Sequence, residues 1–339
     1  MQLSGRRGDE AWVELCRSVF FLKISAICLL LLLSLTARAA AAGSCILIDT
    51  DADLDDYRAI AALASGKQIR AIIVTEGISR RAEGAVAMQD FLRRSELTIP
   101  VLLGASPDHD REYEERKGLL DWRRTAESLN GVLNSDGISS PAENDVAIAI
   151  RPYMHDCSKI TLLVIGPWTS FMRYATAILP RIDRIVAQGR PYPDEIGGEP
   201  DGFNCVYDKQ SCFAAFDLLV GRHLRVGQRL RTTWVDIPNN ADVCGLAEPG
   251  IDRSGQRQFS YAPNVHWLES LRNAGGRARV IAEILQHKVE SWSKTSLWDD
   301  LTALYILRPE IFGVRGGHLE PCIPAQSVRD LLKDLMSKS

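Results

Sequence analysis

Between Ile46 and Asp56 the sequence reads ILIDTDADLDD, so five carboxylates, Asp49, Asp51, Asp53, Asp55 and Asp56, crowd into eight residues directly behind an apolar run. Like charges at this range raise one another's pKa unless something positive intervenes, and a bound cation is the simplest remedy. Hard carboxylate oxygens without Cys or His partners suit Ca²⁺ or Mg²⁺. An EF-hand fails on register: counted from Asp49 its glycine position is Leu54 and its glutamate position Ile60, and from Asp51 these are Asp56 and Ala62. A helix starting at Asp56 would welcome acids in its first turn, and Asp55 or Asp56 alone would serve as its N-cap, but one cap needs only one acid. Phosphate-loop, G-x-S-x-G and dinucleotide patterns are missing from the chain. No histidine stands three to five residues from another and no cysteines have C-x-x-C spacing, so zinc has little support.

The elements that must present these acids are legible in the apolar pattern. Short β-branched runs at 45–49, 69–74, 99–104, 160–166 and 182–189 alternate with helical spacing over 56–66, 81–95, 144–156, 169–180 and 208–221. Near-continuous apolar strands are what a parallel sheet covered on both faces requires. The alternation predicts an α/β fold with a doubly wound, mostly parallel open sheet flanked by helices. Residues 224–237 read as one or two strands, and 277–293, 299–307 and 328–336 as helices. The charged stretch 107–143 reads as a solvated helix face or an active-site flap. No repeat or linker interrupts residues 43–339, which are expected to form a single domain. In such a sheet ligands bind beyond the carboxyl ends of the strands, where the acidic run lies.

With 339 residues, 46% hydrophobic and 24% charged, the composition is that of a globular protein. A net charge of −3 with scattered Lys and Arg argues against a nucleic-acid partner. Residues 1–42 differ: Arg6, Arg7, Arg17 and Lys23 precede the apolar run Ile24–Leu35, and small residues follow with Ala37 and Ala39 in an A-x-A arrangement. That is the order of a signal peptide, or of an N-terminal membrane anchor if it is not cleaved, so export to a periplasmic or secreted location is expected. Beyond Cys16 and Cys28 in that segment, Cys45, Cys157, Cys205, Cys212, Cys244 and Cys322 make an even number, consistent with disulfides in an oxidising compartment. Their pairing is not readable from sequence.

The pattern D-x-D-x-x-x-D-D at Asp49, Asp51, Asp55 and Asp56 resembles the signature of the inosine–uridine-preferring nucleoside hydrolases. IPVLLGASP (99–107), ITLLVIGPWTS (160–170), GFNCVYD (202–208) and LWDDLTALYIL (297–307) resemble four further segments of that family, in the same order. The resemblance implies Ca²⁺ held by Asp51, Asp56, the backbone carbonyl of Thr169 and Asp299. It implies Asp51 as general base, and Asp55 and Asn204 as hydrogen-bond partners of a ribose. The N-glycosidic bond of a small-molecule nucleoside or related riboside would break through an oxocarbenium-like state, releasing base and ribose. A homo-oligomer is a further expectation.

Three positions depart from the family pattern: Ile78 replaces an asparagine, Gly202 a glutamate and Trp298 a histidine. With that histidine absent, stacking of a purine on Trp298 or Trp122 is an expected substitute for leaving-group activation, while Glu76, Ser79 or Asp201 would supply polar groups near the sugar. Two other readings remain open here. One is a non-catalytic exported metal- or sugar-binding protein; the other is a phosphatase of the haloacid-dehalogenase kind built on Asp49, Asp51, Asp299 and Asp300.

Overall fold

A computed structural model describes residues 43–108, 117–133, 137–189, 202–220, 231–235, 244, 246, 248–251, 257–286, 297–315 and 318–338. The signal or anchor reading of residues 1–42 lies outside them, as do parts of the charged stretch and of 224–237 and 277–293. Six parallel strands form the sheet: β1 (Gly43–Thr50), β2 (Gln68–Val74), β3 (Val101–Leu103), β4 (Cys157–Val164), β5 (Arg184–Gln188) and β6 (Arg231–Val235). Their order is β3-β2-β1-β4-β5-β6, which is the doubly wound arrangement expected from sequence. Chain direction across the sheet reverses between β1 and β4, and the two strand ends are joined where the Ile165 N–H donates to the Asp49 carbonyl at 2.8 Å.

Helices α1 (Leu54–Leu63), α2 (Arg81–Arg94), α3 (Lys117–Val132), α4 (Val146–Ala149), α5 (Thr169–Ile178), α6 (Phe203–Tyr207) and α7 (Lys209–Val220) connect these strands or flank them. Later come the antiparallel pair β7 (Glu248–Ile251) and β8 (Arg257–Ser260), then α8 (Val265–Arg272), α9 (Gly276–Leu285) and α10 (Trp298–Leu307). The hairpin β9 (Phe312–Arg315) and β10 (His318–Pro321) and the helix α11 (Ala325–Ser337) end the described chain. Alternate residues of each central strand feed two cores. Ile46, Ile48, Ile72, Val74 and Leu163 pack with α1, α2, α9, α10 and α11, whereas Leu47, Ala71, Ile73, Leu162 and Val164 pack with α5 and α7. Both faces are therefore covered, which is why the strands read as unbroken apolar runs.

Three local outcomes differ from the sequence reading. The helix expected over 144–156 is the short α4 followed by a 3₁₀ turn at Arg151–Met154, because Pro152 has no N–H to continue an α-helical ladder. The charged stretch contains α3, whose inner face buries Arg123, Ala126, Leu129 and Asn130 at three- to four-residue spacing, so part of it is neither solvated nor irregular. And α8 and α6 appear where no helix was assigned.

All six cysteines outside residues 1–42 pair: Cys45 with Cys157, Cys205 with Cys212, and Cys244 with Cys322. The first ties the start of β1 to the start of β4 across 112 residues of sequence. Among the described residues no helix is long and apolar enough to cross a membrane. Closing so long a loop restricts the unfolded chain, so the Cys45→Ala/Cys157→Ala variant is expected to lose about 4 kcal/mol in urea unfolding. A midpoint and slope matching the parent would show that β1 and β4 need no covalent tie.

Candidate active site

The acidic run follows β1 at the point where the sheet changes direction. Asp53 is the N-cap of α1: its carboxylate accepts the Leu54 N–H at 2.8 Å, and the Asp56 carboxylate returns to accept the Asp53 N–H at 2.9 Å, completing a capping box. The helix thus begins two residues before Asp56, and the cap falls on Asp53 instead of Asp55 or Asp56. This arrangement turns the Asp56 side chain back toward β1, where the Thr50 hydroxyl also donates to it. Asp55, one residue earlier on the same turn, stays half-buried. From the far end of the chain α10 brings Asp299, buried, to the same place. One carboxylate oxygen each from Asp55, Asp56 and Asp299 lies within 4.8 Å of the others.

Asp51 stands beside this trio and is held separately. Its Oδ2 accepts the Ile78 N–H at 2.7 Å, and its carboxyl shares a hydrogen bond with Asp56. The approach of β1 to the turn after β2 demands Gly77, since a Cβ there would stand 2.2 Å from Asp51 Oδ2. Gly166, after β4, is required for a similar reason: a Cβ would meet the Asp51 nitrogen at 2.8 Å. Between these contacts Ala52 adopts a φ of 55°, a left-handed conformation that a non-glycine residue holds only when its surroundings compel it. Here its N–H donates to the Thr50 hydroxyl at 3.2 Å and its carbonyl accepts from Ser79 at 2.8 Å.

Burial dominates the electrostatics. It pushes the Asp51 carboxyl up to about 7, with the Ile78 N–H opposing it and the charge of Asp53 adding to it. Asp55 is pushed up to about 8 by burial and by Asp53, against the opposing charge of Arg58. Asp56 and Asp299 lie well above the carboxylate range, first through burial and then through the neighbouring acids. Asp49 is also raised to about 7 by burial, but it is satisfied by hydroxyl donors from Thr75 and from Tyr174, the latter at 2.6 Å. The trio instead has no ion pair among the described residues. Oxygens sharing one Ca²⁺ at about 2.3–2.6 Å stand at most about 5 Å apart. The spacing and the all-oxygen donor set therefore fit a hard divalent cation.

The remaining expected residues are held by contacts of their own. Thr169 opens α5, and its hydroxyl donates to Asp208 at 2.6 Å. Asn204 is buried in α6, and its Nδ2 donates to the Ile165 carbonyl and to Gln188 Oε1, both at 3.1 Å, so its amide ties α6 to the ends of β4 and β5. Trp298 is half-buried at the start of α10, packed on the larger core. Trp122 packs on Phe203, with ring centroids 5.7 Å apart. Of the departures, Ile78 contributes its main-chain N–H to Asp51, and Gly202 is the N-cap residue of α6.

Sequence reasoning passed over the groups behind the acids. Arg123, buried on α3, donates to the carbonyl of Gly77 at 2.9 Å and to the Tyr207 hydroxyl at 3.0 Å, while Asn130 donates to Ser79 at 3.0 Å. Both brace the turn that supplies the Ile78 N–H; a buried i, i+3, i+7 face inside a charged run was the only available signal. Asp300 is fully buried in an ion pair with Arg58 at 2.8 Å, and Asp49 is occupied by its two hydroxyl donors. Neither is free for phosphatase chemistry.

The fold and site together are those of an α/β protein with an open parallel sheet and a cluster of carboxylates, able to hold a metal ion, at its switch point. The model of the inosine-uridine preferring nucleoside hydrolase family matches residues 46–326, and the chain belongs to that family. It is accordingly a hydrolase acting on the N-glycosyl bonds of nucleosides. Solved structures share the fold. The inosine-uridine preferring nucleoside hydrolase of Bacillus anthracis is 14% identical with a TM-score of 0.58, over 87% of this chain and 100% of that one. An inosine-guanosine nucleoside hydrolase gives 14% and 0.58 over 87% and 99%. The purine-preferring ribonucleoside hydrolase of Gardnerella vaginalis gives 12% and 0.52 over 86% and 98%. No curated protein sequence matches the chain.

Raised carboxyls bind protons that the unfolded chain has released, so below about pH 4 their contribution to stability is complete, and it is lost as pH climbs through 7 to 8. In chelator, the melting temperature is expected to fall steadily between about pH 5 and 9, and added Ca²⁺ to restore it most at the alkaline end. Differential scanning fluorimetry checks this; a melting temperature that rises across that window in chelator would contradict it.

Proposed function

We propose that this protein is an exported, Ca²⁺-dependent hydrolase that splits a ribonucleoside into base and ribose. One observation carries the reading: Asp299 joins Asp55 and Asp56 although 243 residues of sequence lie between Asp55 and Asp299. Helix capping accounts for Asp56 alone, and a cation is what would make the approach of Asp55 and Asp299 to it tolerable. A bound divalent ion would lower the pKa of a coordinated water and anchor vicinal hydroxyls. Asp56 and Asp299, with Asp51 and the Thr169 carbonyl as the resemblance implies, are the residues that would hold it.

The proton chemistry belongs to Asp51. Beside a bound divalent ion its carboxyl would be ionised and able to take a proton from a coordinated water, and the Ile78 N–H fixes the orientation of that carboxylate. Asp55, half-buried beside Asp56 and Asp299, would accept hydrogen bonds from sugar hydroxyls, as the resemblance implies. The same acids face the positive charge that develops on the sugar as the base departs. Trp298 and Trp122 offer flat apolar surfaces for a leaving purine. Three disulfides among the described residues support an oxidising compartment, in agreement with the signal-like segment over residues 1–42.

The mature chain is expected to release free base and ribose from at least one member of a nucleoside panel, and to lose that activity in chelator. Asp51→Asn is expected to lower kcat by about 10²- to 10⁴-fold with intact folding. Turnover that survives chelation or this substitution would overturn the mechanism.

A further inference from the structure

The acids of the candidate centre reach it from two helices, and α10 has no cap of its own. Its N-cap residue, Leu297, makes no side-chain cap bond, and the start of the helix is tied by the Leu297 N–H to the Tyr261 carbonyl at 2.8 Å. Between α10 and α1 lies a buried fork. Arg58 Nε donates to both Asp300 oxygens, at 2.9 and 3.1 Å, and Nη2 donates to Asp300 Oδ2 at 2.8 Å. Both side chains are fully buried, so no solvent screens the pair. A two-pronged guanidinium–carboxylate contact restricts direction as well as distance.

Its location gives the fork a second consequence. Arg58 lies one helical turn beyond Asp55, and Asp300 is the neighbour of Asp299. The pair therefore joins the two helix turns that carry the cation-site acids. Being neutral as a unit, it can do this without repelling a cation.

We propose that Arg58 and Asp300 are positioning residues: their buried ion pair sets where the Asp299 carboxylate stands relative to Asp55 and Asp56, and so sets the affinity of the site for a divalent cation. This rests on the cation-site reading above. Removing either partner alone leaves a buried unpaired charge and endangers the fold, whereas replacing both with apolar residues of similar volume commonly leaves stability intact. The informative variants are thus Arg58→Met/Asp300→Leu and the milder Arg58→Lys, which keeps the charge but loses the fork.

Two measurements on the full exported chain decide the matter, Ca²⁺ titration by calorimetry and amide hydrogen exchange of the 297–304 segment in chelator. The double variant is expected to fold with a melting temperature near that of the parent, bind Ca²⁺ about 10- to 100-fold more weakly, and exchange faster over 297–304. Arg58→Lys is expected to fall between parent and double variant in both respects. Should the double variant not fold, Arg58→Lys alone carries the test. Parent-like Ca²⁺ affinity and parent-like exchange in a folded variant would overturn the positioning role. A parent that binds no Ca²⁺ would overturn the cation-site reading, while exchange would still decide whether the pair positions α10.

Discussion

Buried like charge is the constraint on which this structure turns. A carboxylate taken out of water must be protonated, hydrogen-bonded or given a countercharge. The chain meets that demand in three ways within one corner. Asp49 receives two hydroxyl donors, from Thr75 and Tyr174. Asp300 receives a guanidinium. Asp55, Asp56 and Asp299 receive neither a hydroxyl pair nor an ion pair among the described residues, and they face one another. Asp56 takes the Asp53 N–H and the Thr50 hydroxyl as well, yet among the described residues the three together still lack a countercharge, which Asp300 has.

Topology explains why that corner lies where it does. In a doubly wound sheet the chain leaves β1 toward one side and later returns to place β4 on the other, so the loops after these two strands diverge and open a crevice. The first loop carries Asp51 to Asp56 and the second leads into Thr169. Gly77 and Gly166 let the backbone of the neighbouring loops close to within contact of Asp51, where any side chain would collide. The left-handed Ala52 is the local cost of bending β1 sharply into α1 while bringing the carboxyls of Asp51 and Asp56 together.

Much of this was legible in the sequence, because the features concerned are local or strongly periodic. Apolar runs announced β1 to β5, and the density of acids behind β1 marked the corner where the carboxylate trio gathers. Asp299 was reachable only through resemblance, since no local rule connects it to residues 51–56. The pairing of Arg58 with Asp300 was invisible for the same reason: an arginine on a helix and an aspartate 242 residues later carry no mutual signal until the helices pack. The cap fell on Asp53 because the acidic run offers four candidates and only tertiary demand on Asp56 selects among them. Arg123 was hidden in a segment whose charge masked its buried face.

The departures from the family pattern take on a more definite meaning in this setting. At position 78 the contact to Asp51 is made by the main chain, and Arg123 holds that turn in place, so the isoleucine side chain takes no part in orienting Asp51. What the side chain no longer offers is a polar group for the sugar. At position 202 a Cβ would meet nothing nearer than the Gly189 Cα at 3.8 Å, so glycine is not required by packing and its effect is again the removal of a polar group. Trp298 places an indole, half-buried on the larger core, directly before Asp299 where the family pattern has a histidine. Among the described residues, the contacts that hold Asp51 and Asp56 therefore do not run through the side chains at positions 78, 202 and 298.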